Sequence, residues 1–314
     1  MSRNRLVALA GGVGAARFLD GLTRVVTPDR IFIIGNTADD AEIHGLHVSP
    51  DLDTVTYTLA GLSDPKRGWG IHGDSFRCLE ALGRLSADTW FRLGDRDLAT
   101  HLYRTERLRQ GAKLTDVTAE ISAALGVSAQ IVPMSDDRVR TRICTPGGEL
   151  EFQTYFVKRG ARDTVISVRF EGASDATPAR GVIEAIADAE AVILCPSNPF
   201  ISIGPILAVR GVREALQRKK DRVIAISPIV GGRALKGPAA DMMKSMRLRS
   251  AAAEVAQLYK DFVGIFVLDE ADRLQSVQVE ALGIRPIVTN TIMRGIRERK
   301  SLARAVVREL GIEA

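Results

Sequence analysis

Short apolar runs, each closed by glycines or small polar residues, recur along the chain and fit strands buried on both faces. Residues 6–10 (Leu-Val-Ala-Leu-Ala) form the first and run into Gly11-Gly12-Val13-Gly14. After that loop Phe18, Leu19, Leu22, Val25 and Val26 fall on one face of a helix. Residues 31–34 form the second run, ending in Gly35-Asn36-Thr37-Ala38-Asp39-Asp40. Beyond Pro178 the alternation returns, with helices near 179–187, 204–218 and 251–262, strands at 191–194, 223–226, 265–268 and 286–289, and a closing amphipathic helix at 302–310. Six candidate parallel strands interleaved with helices predict an α/β fold, a doubly wound, mostly parallel Rossmann-like sheet.

Between about 97 and 172 the pattern changes. Two helical segments, 98–109 and 117–125, precede short alternating strands near 129–133, 139–144, 150–157 and 164–170. Helices followed by such strands do not extend a parallel sheet. The block is expected to be an inserted α+β subdomain, residues 97–172, beside a core built from 1–96 and 173–314.

Polar and glycine residues collect where the parallel strands end, the edge at which open α/β sheets bind ligands. Glycines at 11, 12 and 14 allow a close backbone approach, and the following helix start offers free N–H groups to an anion. Arg17 stands where the dinucleotide fingerprint would place its third glycine, so that fingerprint is incomplete, and no Gly-Lys-Ser/Thr phosphate loop is present. The later strand ends carry Ser197-Asn198 and Ser227-Pro228-Ile229-Val230-Gly231-Gly232, with Arg233 and Lys236 adding positive charge. Asp39, Asp40, Asp51 and Asp53 supply hard oxygen ligands suited to Mg²⁺. Ser49 and Pro50 have the form of a helix N-cap and first turn, so one acid there needs no other explanation. Two acids beside a second acidic pair exceed what capping requires. Phosphate donors next to carboxylates suit phosphoryl transfer. Trp69, between glycines, fits a ring-stacking or lid position. Asp95 reads as a helix cap, Arg92 and Arg96 as exposed arginines that can reach an anion, and His44 and His72 as lone histidines rather than metal ligands.

Bulk composition narrows the partners. A net charge of +5 over 314 residues suits anionic small substrates and shows no nucleic-acid stripe. Cys78, Cys144 and Cys195 are far apart, which implies a reducing compartment and no disulfide framework. The glycines at 11–14 interrupt the first apolar run too early for a signal peptide, and no stretch reaches membrane-span length. A cytoplasmic protein without membrane contact is expected.

The stretches Gly11-Gly12-Val13-Gly14-Ala15-Ala16-Arg17-Phe18-Leu19, Asn36-Thr37-Ala38-Asp39-Asp40, Ser49-Pro50-Asp51-Leu52-Asp53-Thr54, Leu93-Gly94-Asp95-Arg96-Asp97, Pro196-Ser197-Asn198-Pro199 and 227–232 together resemble the 2-phospho-L-lactate transferase family (CofD or FbiA). The likeness covers nearly the whole chain in consistent order. It implies a step of coenzyme F-420 biosynthesis. A phospho-hydroxyacid group, phospholactyl, phosphoenolpyruvyl or phosphoglyceryl, would pass from a guanosine-diphospho donor to the ribityl hydroxyl of the deazaflavin Fo, with release of GMP and formation of F-420-0 or its analogue. It also implies dependence on Mg²⁺ and a homodimer. Carried onto this chain, Asp53 and Arg92 match Fo contacts, and Asp39 and Asp53 are the candidate catalytic and metal residues. Gly11, Gly12, Val13, Gly14, Asn36, Thr54, Ser197, Asn198, Ser227, Gly231 and Gly232 are expected around the substrates. The rival is a nucleotide-sugar-binding regulator of the gluconeogenesis-factor type, with a similar glycine loop and no turnover. A more distant one is an NAD-dependent oxidoreductase.

Overall fold

The computed structural model describes residues 5–312. Seven strands form its central sheet: β1 (Leu6–Ala10), β2 (Ile31–Gly35), β3 (Gln130–Pro133), β4 (Ala191–Leu194), β5 (Val223–Ile226), β6 (Ile265–Leu268) and β7 (Arg285–Val288). They lie in the order β3-β2-β1-β4-β5-β6-β7, and every neighbouring pair is parallel. Side chains alternate across the sheet. Leu6, Ala8, Ile31 and Ile33 pack against helix α1 (Gly12–Leu22) and the C-terminal helix Ile296–Glu309, while Val7, Leu9, Phe32 and Ile34 pack with Val182, Ile186, Ile206 and Val212 on the other face. Burial on both sides explains why these strands are continuous apolar runs instead of alternating ones.

The expected doubly wound architecture is therefore present, with three differences. Residues 130–133 pair in parallel with β2 as the sheet's seventh, edge strand and do not belong to an antiparallel block. Helix α5 (Leu114–Ala124) supplies the crossover that makes this possible, and Pro133 ends the strand where no further neighbour needs its missing N–H. The antiparallel sheet comprises only Gly148–Glu151, Arg140–Thr145 and Ser167–Glu171, with the central strand in the middle. The expected strand 150–157 is cut short at Glu151, and Thr154–Lys158 turn helically to bury Tyr155 beside Ile143, Ile201 and Met242. The expected helix 204–218 is two, Gly204–Ala208 and Val212–Gln217, separated near Gly211 with its left-handed φ of +83°.

Strand order reverses between β1 and β4, so the loops leaving these two strands diverge and open a crevice at the carboxyl edge. Gly14 sits against the Pro196 carbonyl with no room for a Cβ, and Ser197 Oγ donates to the Gly11 carbonyl at 2.8 Å. These contacts bind the two loops into one floor. No helix among the described residues is long and apolar enough to cross a membrane.

Candidate active site

The crevice opens into a cleft of about 710 Å³. Its walls include Gly11, Gly12, Val13, Gly14, Asp39, Asp53, Thr54, Arg92, Ser197, Asn198 and Ser227, so most of the residues expected around the substrates do meet in one place. Gly12 has φ +72°, a left-handed conformation that starts α1 directly from β1, so the start of the helix lines the cleft and the Gly12 amide reaches the Asp51 carboxylate.

Helix α2 (Pro50–Leu59) brings in the acids. Asp51 lies against the glycine loop, its Oδ2 accepting from Asn36 Nδ2 at 2.9 Å. Asn36 does not line the cleft. It is fully buried and spends its amide on Asp51 and the Ile201 carbonyl, 3.1 Å away. Burial pushes Asp51 up to about 6, and burial followed by the charge of Asp51 holds Asp39 well above the ordinary carboxylate range. Asp39 Oδ1 is buried with no hydrogen-bond partner. Two facing carboxylates, one with an unpartnered buried oxygen, are an arrangement that a cation relieves. Among the described residues no group of three or more Asp, Glu, His or Cys side chains could hold a metal by itself. A two-carboxylate site suits Mg²⁺, which keeps waters and takes substrate phosphates as its other ligands. Asp40 is used elsewhere: it accepts from Ser49 Oγ at 2.7 Å and sits 3.0 Å from His47 Nε2. Ser49 therefore occupies the N-cap position without using its hydroxyl to cap the helix.

Asp53, expected beside Asp39 as a ligand, has both oxygens on the guanidinium of Arg104, one of them at 3.1 Å from Nη1. The pair is almost fully buried, with Asp53 5% and Arg104 2% exposed. Helix α4 (Asp95–Arg109) delivers Arg104 together with His101 and Asp97. His101 Nδ1 lies 3.8 Å from Asp53 Oδ2, its Nε2 3.2 Å from Asp97 Oδ1, and Tyr57 donates to Asp97 Oδ1 at 2.7 Å. Burial works against ionisation of Asp97, but hydrogen bonds from His101 and Tyr57 outweigh it and hold the carboxyl below its ordinary value. This network was missed in the sequence. Its signal is present as Asp97, His101 and Arg104, spaced i, i+4 and i+7 and hence on one helix face, where a core-facing helix would show apolar residues.

The capping read at Asp95 is crossed. Asp95 accepts from the amides of Arg77 and Cys78 at 3.1 and 3.0 Å, capping helix α3 (Arg77–Arg84), while Asp74 accepts from Arg96 and Asp97 at 2.9 and 3.0 Å and caps α4. This exchange holds the 86–94 segment that presents Arg92 to the cleft. Arg92 stacks on Phe76 with its guanidinium carbon 4.5 Å from the ring centroid. Trp69, Trp90, Phe91, Phe152 and Phe156 line the same cleft, and Phe152 and Phe156 stack at 5.3 Å. A flat aromatic ligand finds apolar faces here and a cation nearby.

The loop after β5 departs from expectation. Gly231 and Gly232 lie off the cleft. The Gly231 amide donates to Asp272 at 2.9 Å, and the Gly232 carbonyl accepts from Ser250 Oγ at 2.8 Å. Residues 229–234 close into a small antiparallel hairpin, which consumes the backbone groups that a phosphate would need. Ser227 reaches the cleft, but its hydroxyl donates to the Ile229 carbonyl at 2.9 Å. Asn198 also lines the cleft while its Oδ1 caps the following turn, accepting from the Phe200 and Ile201 amides at 2.9 and 3.4 Å.

A family model described as 2-phospho-L-lactate transferase CofD matches residues 6–293. A 2-phospho-L-lactate transferase of Methanosarcina acetivorans is 39% identical over 302 residues, covering 96% of this chain and 98% of that protein. A phosphoenolpyruvate transferase of Streptomyces griseus is 40% identical over 306 residues, with 96% of each chain covered. A crystal structure of a UPF0052 family member from Bacillus halodurans superposes with a TM-score of 0.66 at 16% identity, covering 98% of this chain and 99% of that one. That likeness concerns the fold.

Proposed function

Because the chain belongs to the 2-phospho-L-lactate transferase family, we propose that it transfers a phospho-hydroxyacid group from a guanosine-diphospho donor to the terminal ribityl hydroxyl of Fo (7,8-didemethyl-8-hydroxy-5-deazariboflavin), as a homodimer. The hydroxyl oxygen bonds to the phosphorus bearing the hydroxyacid, the bond from that phosphorus to the GMP oxygen breaks, GMP departs with the electron pair on its phosphate oxygen, and the hydroxyl proton passes to water. One observation supports this above the others: the glycine loop, the Asp39–Asp51 pair and an aromatic wall with Arg92 all line one cleft. Asp39 and Asp51 would hold Mg²⁺, and the ion when bound would supply positive charge against the charge that develops on the transferred phosphoryl group. Asp53, held in place by Arg104, orients the acceptor hydroxyl and can accept its hydrogen bond. The aromatic wall takes the deazaflavin ring and excludes water from the acceptor.

The test is a mixture of protein, Fo and Mg²⁺ with the lactyl, enolpyruvyl and glyceryl donors in turn, followed by chromatography for GMP and the Fo phosphodiester. Both products should appear with at least one donor. Tight binding of a nucleotide sugar with no GMP from any donor would instead favour the regulatory reading. Arg92→Ala should raise the KM for Fo by about tenfold, the loss of one cation contact worth about 1.4 kcal/mol, with the donor KM unchanged. An unaltered KM for Fo would remove Arg92 from acceptor binding.

A further inference from the structure

A cationic pair occupies the end of the glycine loop away from the acids. Asp51 approaches Gly11 and Gly12, whereas Val13 packs against Gly68, and Gly68 adjoins Lys236. Arg17 is one helical turn beyond Val13 on the same face of α1. Arg17 and Lys236 both line the cleft. Neither has a carboxylate partner among the described residues. The nearby Arg299 is already committed to Asp20 at 2.8 Å. Burial lowers the pKa of half-buried Arg17, with Arg299 adding to it, and burial followed by the charge of Arg17 lowers that of Lys236.

Lys236 is held in this position. Its Nζ donates to the Arg67 carbonyl at 2.8 Å. Gly68 has φ +81°, and a Cβ there would come within 2.6 Å of Val13 Cγ1 and 3.2 Å of Lys236 Nζ. Glycine thus lets the 64–70 loop lie close enough to tether the lysine over the start of α1. Two like charges held together without a counter-ion disfavour each other, and an incoming anion relieves both.

We propose that Arg17 and Lys236 form an anion subsite that holds an oxyanion of the donor at the end of the glycine loop opposite Asp51. The inference rests on the transferase reading above. The donor has a charge on each phosphate and another on the carboxylate of its hydroxyacid. In that reading one phosphate lies at the acidic end, beside the cation that Asp39 and Asp51 would hold. The oxyanion at the basic end is the second phosphate or the carboxylate, and the two have distinct signatures.

Calorimetric titration of GMP, GDP and the intact donor, without Fo, into wild type, Arg17→Ala, Lys236→Ala and Lys236→Arg separates them. Each alanine variant should bind intact donor about tenfold or more weakly, and Lys236→Arg should retain most of the affinity. If the second phosphate is held, GDP weakens in parallel and GMP does not. If the carboxylate is held, GMP and GDP are unchanged and only the donor weakens. Donor affinity within about twofold of wild type in both alanine variants would overturn the subsite. Lys236 is on the exposed surface of its loop, so Lys236→Ala remains informative if Arg17→Ala folds poorly. Titration reads binding without turnover. A wild type that releases no GMP would therefore sink the transferase reading while leaving this test standing.

Discussion

Asp53→Asn is expected to lower the rate of GMP release by more than tenfold, over about 1.4 kcal/mol of barrier. The same change should also destabilise the protein by about 3–5 kcal/mol, because it leaves the Arg104 guanidinium buried without its anion. The two effects have separate causes and can be measured apart. Denaturant unfolding reads the second, and turnover per folded molecule, at a temperature where the variant is folded, reads the first. In Asp53→Asn with Arg104→Met both charges are gone, and most of the lost stability should return because a buried pair contributes little net energy over an apolar replacement. Turnover should stay low, since nothing then orients the acceptor hydroxyl. Recovery of turnover in the double variant, or near-normal turnover in the single one, would exclude Asp53 from the reaction.

Asp39→Asn should lower turnover by at least about a hundredfold, or about 2.7 kcal/mol of barrier, if Asp39 holds the cation that offsets charge on the transferred phosphoryl group. A binding readout accompanies it. In wild type, Mg²⁺ should raise the melting temperature, since it binds the folded state. The increment should be larger at pH 7.5 than at pH 5. Asp51 rises to about 6 in the folded protein, above the ordinary aspartate value near 3.9, and Asp39 is raised in the same direction. A carboxyl raised on folding contributes stability while protonated and loses that contribution as pH climbs from the unfolded to the folded pKa. The metal-free protein should therefore weaken between about pH 4 and 6, and Mg²⁺ should restore stability above that window. Asp39→Asn should flatten the Mg²⁺ increment. An increment equal at both pH values, or intact in Asp39→Asn, would dissociate this carboxylate from the cation.

Five of the parallel strands, β1, β2, β4, β5 and β6, were legible because each is buried on both faces and so reads as an unbroken apolar run bounded by glycine or polar residues. Residues 130–133 were not, because a four-residue edge strand preceded by helices and followed by antiparallel strands has the same local pattern in either sheet. Only its pairing with β2 distinguishes them. The glycine loop and the acids at 39, 51 and 53 were visible as motifs, and the strand ends placed them at one edge.

By itself the sequence determined the layered α/β architecture, the sheet edge at which the cleft lies and the residue types available there, since burial periodicity and strand-end position are local properties of a chain. Tertiary structure decided which partner each group has. Asp51, rather than Asp53, faces Asp39; Arg104, about one turn of α4 beyond His101, claims Asp53; and Asp272 takes the amide of Gly231. A side chain's chemistry depends on what lies within about 4 Å of it. Neighbours that come from distant segments are brought to that distance only by the packing of helices on the sheet.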